Sequence, residues 1–474
     1  MAHEKTNLLT RSAIELAGLV RSGQISSREL VEQALQRIEA NQDINAFTLV
    51  NAESALAAAT AIKPGDTRPF AGVPIAIKEL AHVAGERFTL GSDLTGDYIS
   101  PFDDHFVRRL REAGFILLGR TNSPEFGIVP ITEPRRFGPT RNPWNTSVTS
   151  GGSSGGAAAA VAAGILPLAH GSDGGGSIRI PAACCGLVGL KPSRGRISSG
   201  PSLGDSLLST NGVITRSVAD SAALLDVLAG YETGDATWAP PPEEPFAVTA
   251  ARSPRRLRVA MTVASPLGTP VDPIHIQAVH DTAKLLTSLG HTVEEHMPEG
   301  MQTRDLFHAF NVVYAAGISA SIEYAASLSG RAINAESVER LSWGFYEYNK
   351  SLTPAHYVAA VSRIQRQARL IISSFAPFDV LLTPSLGQRP LPIGTLDINK
   401  DWRSEFTKSG AFTPFTAIWN TTGQPAISLP LYHSADGLPI GVQFVGHPLA
   451  EGLLLSLATE LEAALPWAER LARP

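Results

Sequence analysis

Residues 150–181 read SGGSSGGAAAAVAAGILPLAHGSDGGGSIRIP, a stretch in which two clusters of glycine and serine flank an alanine-rich segment. Residues 151–200 contain 13 of the 42 glycines in the 474-residue chain. The small residues from Ser154 to Ala163 predict a tightly packed helix, and Leu166 to His170 predict a strand. The second glycine cluster then follows a strand and precedes another element, which is a common place for a functional loop.

Glycine clusters occur in several kinds of binding site, and two kinds of nucleotide-binding site do not match this sequence. A phosphate-binding P-loop needs a Gly-Lys step before Ser or Thr, and no Gly-Lys dipeptide occurs in the chain. A dinucleotide-binding fingerprint needs a further glycine at a fixed spacing after Gly174-Gly175-Gly176, and that glycine is absent. The cluster therefore predicts neither a P-loop nor a dinucleotide-binding site.

Two serines, Ser153 and Ser177, remain as candidate nucleophiles. Residues 151–155 match the G-x-S-x-G nucleophile elbow, but Asn142 to Thr149 is read as a polar loop, so no strand leads into that elbow. Ser177 follows a strand and three glycines, whose unhindered N–H groups suit an oxyanion hole. The alternative for Ser177 is an ordinary glycine turn in which the serine caps a helix.

Lys78 ends the apolar run Gly72-Val73-Pro74-Ile75-Ala76-Ile77, which predicts a buried strand. Eight of the 39 basic residues are lysine and the other 31 are arginine, so a lysine in an apolar setting needs a reason. Burial lowers the pKa of a lysine and allows it to act as a base, which arginine cannot do. The alternative is a lysine that leaves the strand end for water.

Strand and helix patterns alternate along the chain, which predicts an α/β fold with a mixed, mostly parallel twisted sheet covered by helices on both faces. We expect an N-terminal helical segment at 1–65, a core at 66–230 and a proline-rich linker or surface crossing at 231–256. The remainder of the same domain is expected at 257–474. Within it, the aromatic-rich segment 300–375 is a candidate substrate channel or lid.

Composition excludes several classes of function. The net charge of −5 leaves no basic footprint for nucleic acid. The apolar run Ala157–Ala169 is 13 residues long, shorter than the roughly 18 needed to cross a membrane. Met1 to Leu9 lacks the apolar core of a secretory signal, and the adjacent Cys184 and Cys185 form neither a good disulfide nor a zinc site. We therefore expect a cytoplasmic protein without metal or other cofactor.

Four blocks together resemble the amidase signature family: GVPIAIK (72–78), GGSSGG (151–156), GSDGGGSIRIPAACCGLVGLKPS (171–193) and NTTGQPAISLPL (420–431). They occur in the family's order, and compatible segments continue to the last helix, so the resemblance covers essentially the whole chain. Shorter blocks, AFTLVN, TRNPWN, LLTPS and ALPW, are most similar to family members that act on anilides and aminohexanoate oligomer amides.

The resemblance implies a Ser–Ser–Lys triad. Ser177 matches the nucleophile, Ser153 the bridging serine on a cis peptide bond, and Lys78 the base. The remaining matches are an oxyanion hole of backbone N–H groups and three supporting side chains: Gly174, Gly175, Gly176 and Ser177 for the hole, and Ser154, Asp173 and Arg179 for support.

In the implied mechanism, neutral Lys78 draws the proton of Ser177 through Ser153, and Ser177 forms an acyl-enzyme that water hydrolyses. The resemblance thus implies hydrolysis of a small, aryl or alkyl amide. A urethane-cleaving or esterase activity is the alternative, followed by the glutaminase subunit of a tRNA-dependent amidotransferase. We expect a small-molecule substrate, no nucleic acid or membrane partner, and a monomer or homodimer.

Specificity is expected from the loops near the triad. By family position Phe126 and Gly127, together with Ser153, face the substrate. Arg135-Arg136 is either an acid-binding pair or an exposed surface pair. Six aromatic residues are candidates for an apolar wall, although core packing is the more common role of such residues: Phe137, Trp144, Trp343, Phe345, Phe415 and Trp419.

Overall fold

The computed structural model describes residues 7–302 and 304–472. Residues 1–6, which belong to the expected N-terminal segment and to the stretch examined for a signal sequence, lie outside the described residues. So do residue 303, within the candidate channel segment, and residues 473–474. No helix in the described ranges combines the length and apolar character that a membrane crossing needs.

The order of elements follows the predicted alternation closely. The strands of the described residues are β1 (Phe47–Val50), β2 (Pro74–Lys78), β3 (Ile116–Thr121), β4 (Arg141–Asn142), β5 (Asn145–Thr149), β6 (Leu168–Asp173), β7 (Val188–Lys191), β8 (Thr210–Thr215), β9 (Arg258–Met261), β10 (Thr292–Glu295), β11 (Val380–Pro384), β12 (Ala426–His433) and β13 (Pro439–Gly446). The α-helices are α1 (Ala13–Arg21), α2 (Ser27–Ala40), α3 (Ala52–Ala61), α4 (His105–Glu112), α5 (Gly155–Ala162), α6 (Arg179–Cys185), α7 (Val218–Leu228), α8 (Phe246–Ala250), α9 (Pro273–Ser288), α10 (Arg304–Ser329), α11 (Arg340–Lys350), α12 (Pro354–Phe375), α13 (Trp402–Phe412), α14 (Ala417–Thr422) and α15 (Glu451–Ala464).

The large sheet has eight strands in the order β10-β9-β11-β13-β12-β7-β8-β6. Every residue of β13 is buried, as is every residue of β11. Because neighbouring residues of a strand point to opposite faces, this burial means that both faces of the sheet centre are covered. The predicted mixed α/β sheet flanked by helices is confirmed.

The direction of the strands requires one correction. Only the β10–β9 and β9–β11 pairs are parallel, whereas the five other pairs of the large sheet are antiparallel. The prediction of a mostly parallel sheet assumed a helical crossover between successive strands. The chain instead returns from β12 to β13 by a short hairpin closed by hydrogen bonds between Ser434 and Leu438, and β7 pairs directly with β8.

The segment before the first glycine cluster also differs from the prediction. Asn142 to Thr149 was expected to be a polar loop, but β4 and β5 pair there as a small antiparallel sheet. Its residues are mainly polar and partly exposed, so the segment lacks the apolar alternation that signals a strand. A strand therefore does lead into the cluster that contains Ser153.

A separate three-stranded sheet, β1-β3-β2, contains the strand that ends at Lys78. β2 is fully buried and runs parallel to β3, with Lys78 opposite Thr121 at its end. β2 lies beside β6 of the large sheet, and the backbone N–H of Lys78 donates to Nδ1 of His170 over 3.3 Å. This contact brings the lysine strand next to the strand that leads to Ser177.

Candidate active site

The Lys78 side chain is fully buried and points at the first glycine cluster. Its Nζ lies 2.7 Å from Oγ of Ser153. It also lies 3.1 Å from Oγ and 3.4 Å from the carbonyl oxygen of Ser172. The structure therefore joins Lys78 to Ser153, as the resemblance implies, and adds Ser172, which was not among the residues predicted from the sequence. The only signal for Ser172 is its place in the block 171–193, directly before Asp173 at the end of β6.

Burial lowers the pKa of Lys78 to about 7, while the charge of Asp173 opposes that shift. His170, next to Lys78, is also fully buried, and burial together with the Lys78 charge lowers its pKa to about 3. The imidazole is therefore neutral at neutral pH. A substantial fraction of Lys78 is unprotonated under the same conditions and can accept a proton.

Ser153 is held in a tightly packed turn. The peptide bond between Gly152 and Ser153 is cis, the conformation that the resemblance implies. A Cβ added at Gly152 would lie 2.4 Å from the carbonyl oxygen of Ile131, and one added at Gly127 would lie 3.1 Å from Oγ of Ser153. Close approach of the Ile131 backbone thus requires glycine at position 152, and Gly127 has a φ of +70° that favours glycine.

Ser154 connects the two glycine clusters. Its backbone N–H donates to the carbonyl oxygen of Ser177 over 3.2 Å. Its hydroxyl donates to the carbonyl of Ser172 over 3.3 Å and accepts from the Ser172 N–H over 3.4 Å. Ser172 therefore contacts both Ser154 and the Lys78 amine.

Asp173 organises the loop that carries Ser177. One carboxylate oxygen accepts from the N–H of Gly176 over 2.8 Å and the other from that of Ile178 over 3.2 Å. The same carboxylate pairs with Arg179 through two hydrogen bonds of 3.0 and 2.9 Å. Burial alone would raise the pKa of Asp173, but Arg179 holds it well below its usual value. Asp173 is therefore ionised and acts as a structural anchor.

Of the four backbone N–H groups expected in the oxyanion hole, one already donates a hydrogen bond to a residue that the structure describes and three do not. The N–H of Gly176 is occupied by Asp173. Within the described residues, no hydrogen-bond acceptor is found for the N–H groups of Gly174, Gly175 and Ser177. Of these three residues, Gly175 and Ser177 line the neighbouring cavity. Their N–H groups are the available donors for a developing negative charge.

A cavity of about 310 Å³ opens onto Ser177. Four aromatic side chains contribute to its wall: Phe307, Phe310, Tyr314 and Phe406. The polar side chains of the lining are Ser177, Thr269, Asn311, Tyr314, Thr407, Ser409 and Thr413, and no charged side chain is among the described residues that line it. The arrangement fits a neutral, largely apolar molecule.

The predicted apolar wall is not the one that the structure forms. None of the six aromatic candidates named from the sequence lines this cavity. Phe345, Phe415 and Trp419 are buried in the core, and the Trp144 indole donates to the carbonyl of Cys185. Three of the four aromatic side chains that line the cavity come from α10, where residues 307, 310 and 314 share one helical face. That spacing could have identified them.

Neither of the loop residues expected to face the substrate, Phe126 and Gly127, lines the cavity. Gly127 packs against Ser153 and Leu80, and Phe126 has a left-handed backbone with a φ of 51°. The cavity wall itself begins one residue later, at Ile128, Val129 and Pro130. Arg136 does not line the cavity and donates to the carbonyl oxygens of Ser92 and Gly96.

In the described ranges, no group of three or more His, Cys, Asp or Glu side chains is arranged so that it could bind a metal ion. The site instead combines a buried lysine, serine hydroxyls and free backbone N–H groups around an apolar cavity. This set of groups suits covalent attack on a carbonyl carbon with stabilisation of the resulting oxyanion.

Comparison with known proteins gives consistent matches over the whole chain. The model of the family described as Amidase matches residues 29–455. The sequence is 40% identical over 485 residues to a 6-aminohexanoate-cyclic-dimer hydrolase of Paenarthrobacter ureafaciens, covering 98% of this chain and 96% of that protein. A solved structure of 6-aminohexanoate cyclic dimer hydrolase matches with a TM-score of 0.93 at 39% identity, covering 98% of this chain and 99% of that one. A bacterial aryl acylamidase of the amidase signature family matches with a TM-score of 0.87 at 27% identity, covering 98% of both chains.

Proposed function

The chain belongs to the amidase signature family, whose members hydrolyse amide carbon–nitrogen bonds, and on that premise we propose that it does so through an acyl-enzyme on Ser177. The observation that carries the proposal is the 2.7 Å contact between Lys78 Nζ and Ser153 Oγ. This contact supports the proposal because the buried Lys78 amine meets Ser153, and the next residue, Ser154, donates its backbone N–H to the carbonyl oxygen of Ser177.

The proton of Ser177 passes to Ser153 as the proton of Ser153 passes to neutral Lys78. Ser177 Oγ then bonds to the carbonyl carbon of the substrate, and the carbonyl oxygen becomes an oxyanion. The N–H groups of Gly175 and Ser177 stabilise that oxyanion. Ser172 accepts a hydrogen bond from Lys78 once the amine is protonated and keeps it directed at Ser153.

Collapse of the tetrahedral intermediate breaks the carbon–nitrogen bond. Because an amide nitrogen leaves poorly without a proton, protonated Lys78 returns the proton through Ser153 to that nitrogen. Water then attacks the acyl-enzyme, and the same relay removes its proton. The carboxylate product leaves, and Ser177 regains its hydroxyl proton.

The substrate is a neutral amide with an apolar acyl or aryl group. The cavity wall offers aromatic and hydroxyl groups but no charged partner among the described residues. A buried ammonium or carboxylate without a partner costs several kcal/mol. A cyclic dimer of 6-aminohexanoate has no free ends, and an aryl acylamide is neutral, so the names of both relatives fit this lining. Free glutamine, which carries two charges, fits it poorly.

A matched pair of anilides tests the proposal. We expect hexanoyl p-nitroanilide to be cleaved with a kcat/KM at least ten times that of 6-aminohexanoyl p-nitroanilide, a difference of about 1.4 kcal/mol. The two substrates differ only in a terminal ammonium group. Ser177→Ala is expected to abolish cleavage of both while the circular dichroism spectrum stays unchanged.

Equal or faster cleavage of the charged anilide would contradict the proposed substrate class. Full activity in Ser177→Ala would contradict the proposed nucleophile. An aryl carbamate and an aryl ester of the same acyl length belong in the same panel, because they present the same carbonyl to the same donors. A higher kcat/KM for the carbamate than for the anilide would favour a urethanase.

A further inference from the structure

Thr416 lies directly before α14, about 240 residues after the serine loop, yet it contacts that loop closely. Its side chain is fully buried. Its hydroxyl donates to the carbonyl oxygen of Gly175 over 2.7 Å, with the Thr413 carbonyl a more distant alternative at 3.4 Å. The carbonyl of Thr416 in turn accepts from Nη1 of Arg179 over 2.9 Å.

Two peptide groups of the serine loop are held at both ends by hydrogen bonds. The peptide joining Gly175 to Gly176 is held at both ends, since its carbonyl accepts from Thr416 and its N–H donates to Asp173. The peptide joining Ser177 to Ile178 is also held at both ends, by the Ser154 N–H and by Asp173. These two peptide planes therefore have fixed orientations.

The free N–H donors belong to two other peptide groups of the loop, which join Gly174 to Gly175 and Gly176 to Ser177. The carbonyl of Gly176 accepts from the Ile180 N–H over 2.7 Å, which turns the N–H of Ser177 in the opposite direction. The N–H of Gly175 belongs to the preceding peptide, adjoining the one that Thr416 holds. The free N–H groups of Gly175 and Ser177 thus flank the doubly held peptide.

Glycine makes this external support necessary. Gly174, Gly175 and Gly176 have no Cβ, so their intrinsic preference for one peptide orientation is weak. Gly176 adopts a φ of +132°, and a Cβ there would lie 2.4 Å from Oγ1 of Thr416. A peptide flip between Gly175 and Gly176 would turn the Gly175 carbonyl, a hydrogen-bond acceptor, away from Thr416 and change the direction of the adjoining donors.

We propose that Thr416 is a positioning residue for the oxyanion hole, because its hydroxyl holds the Gly175–Gly176 peptide in the orientation that leaves the Gly175 and Ser177 N–H groups free. This inference rests on the proposed function. Thr416 makes no contact with the reacting atoms and acts through the backbone of Gly175. Asp173 holds the other end of the same peptide, so removal of Thr416 leaves the loop folded with one anchor.

Thr416→Val removes the hydroxyl with little change in shape, and Thr416→Ser restores it. We expect kcat for the neutral anilide to fall roughly 10- to 100-fold in Thr416→Val, somewhat less than the 10²- to 10³-fold typical of deleting an oxyanion donor itself. KM is expected to change less than threefold, and Thr416→Ser is expected to regain at least a third of the wild-type kcat. Thr416→Ala provides the same comparison with a smaller side chain.

A tetrahedral boronate separates positioning from general damage. An aryl boronic acid that bonds to Ser177 places an oxygen in the hole, so its Ki should rise in parallel with the loss of kcat. The matched control is Thr421→Val, which removes a buried threonine hydroxyl of α14 that donates to the Ile418 carbonyl over 2.6 Å. That variant is expected to keep kcat and the boronate Ki within twofold of wild type.

Three results would overturn the inference: a kcat for Thr416→Val within twofold of wild type, an equal loss in Thr421→Val, or no recovery in Thr416→Ser. The proposed function fails in a different way. If Ser177→Ala kept its activity, the nucleophile would be wrong whatever the Thr416 variants did. If Ser177→Ala were inactive and Thr416→Val were fully active, only the role of Thr416 would be wrong.

Discussion

Lys78 shares its full burial with Lys191, and burial lowers the pKa of each to about 7. Lys191 donates to the carbonyl of Pro192, whereas Lys78 contacts Ser153 and Ser172. An apolar setting for a lysine therefore identifies two candidates among the described residues. Contact with a serine hydroxyl, which only the fold provides, selects Lys78 between them.

The pH dependence of kcat/KM follows from the pKa of Lys78. In the proposed mechanism Lys78 acts as a base in its neutral form, so activity is expected to rise with pH through about 7 and to fall tenfold per pH unit well below it. Anilide hydrolysis measured from pH 5 to pH 9 checks this limb. Lys191→Met is the matched control and should keep the limb in place.

A flat profile between pH 5 and pH 8 would contradict the role of Lys78, as would loss of the limb in Lys191→Met. In Lys78→Ala we expect kcat/KM to fall roughly a thousandfold or more at pH 7, because general base and proton return are lost together.

At the scale of single residues, the sequence predicted the groups with unusual chemistry and missed those with ordinary chemistry. Lys78, Ser153 and Ser177 were named from motifs, and the structure brings Lys78 and Ser153 into contact. Ser172 lies inside the block 171–193 and Thr416 lies outside the four blocks, and both carry hydroxyls that are common in any sequence. Their positions depend on contacts between distant segments, which no local pattern encodes.

The loop between β6 and α6 is the element on which the site depends. Its three glycines permit the required backbone, and its conformation is fixed by hydrogen bonds to Asp173 from Gly176 and Ile178. The glycine cluster predicted backbone N–H groups without a hydrogen-bond partner, and the described residues contain three of them, at Gly174, Gly175 and Ser177. The cluster could not indicate that one of the four N–H groups is consumed by Asp173.

Asp173→Asn is expected to destabilise the protein by about 3 to 5 kcal/mol, because it removes the charge that compensates buried Arg179. One amide nitrogen would also face a backbone N–H that now has a carboxylate acceptor. Urea unfolding at pH 7 measures the change in the free energy of unfolding. Asp281→Asn, which alters an exposed carboxylate paired with Lys284, is the control and is expected to change little.

A loss below about 1 kcal/mol in Asp173→Asn would mean that the ion pair with Arg179 does not anchor the loop. Comparable losses in both variants would also contradict that role, since an exposed ion pair contributes little to stability.

The direction and pairing of the strands could be predicted from the sequence only in part. Alternating strand and helix patterns correctly predicted an α/β sheet covered on both faces. The pairing partners were not predictable, because β7 pairs with β12, more than 200 residues later. Antiparallel hairpins such as β12–β13 replace the helical crossovers that the alternation suggested.

The two halves of the chain are joined through the site itself. Arg179 on α6 donates to Asn420 over 2.7 Å and to Gln443 over 2.8 Å, and Thr416 reaches back to Gly175. The large sheet continues through the same region from β7 to β12. The segment 231–256, expected to be a linker or surface crossing, contains the short helix α8, which packs on α7 and α15.

We therefore expect residues 66–474 to unfold as one cooperative unit. Differential scanning calorimetry should give a single transition with a calorimetric enthalpy equal to the van 't Hoff enthalpy. Two resolved transitions would show that the segments before and after 231–256 are separate domains. A substrate analogue that occupies the cavity should raise the Tm of the whole transition, because both halves line it.

The central proposal is that Ser177, activated by Lys78 through Ser153, is the nucleophile of the amidase reaction. The most direct test is to treat the protein with an alkyl fluorophosphonate and to locate the adduct by peptide mass spectrometry. We predict one adduct per chain on Ser177, no adduct in Ser177→Ala, and much slower labelling in Lys78→Ala. An adduct on Ser153 or elsewhere, or undiminished labelling of Ser177→Ala, would contradict the assignment of Ser177 as the nucleophile.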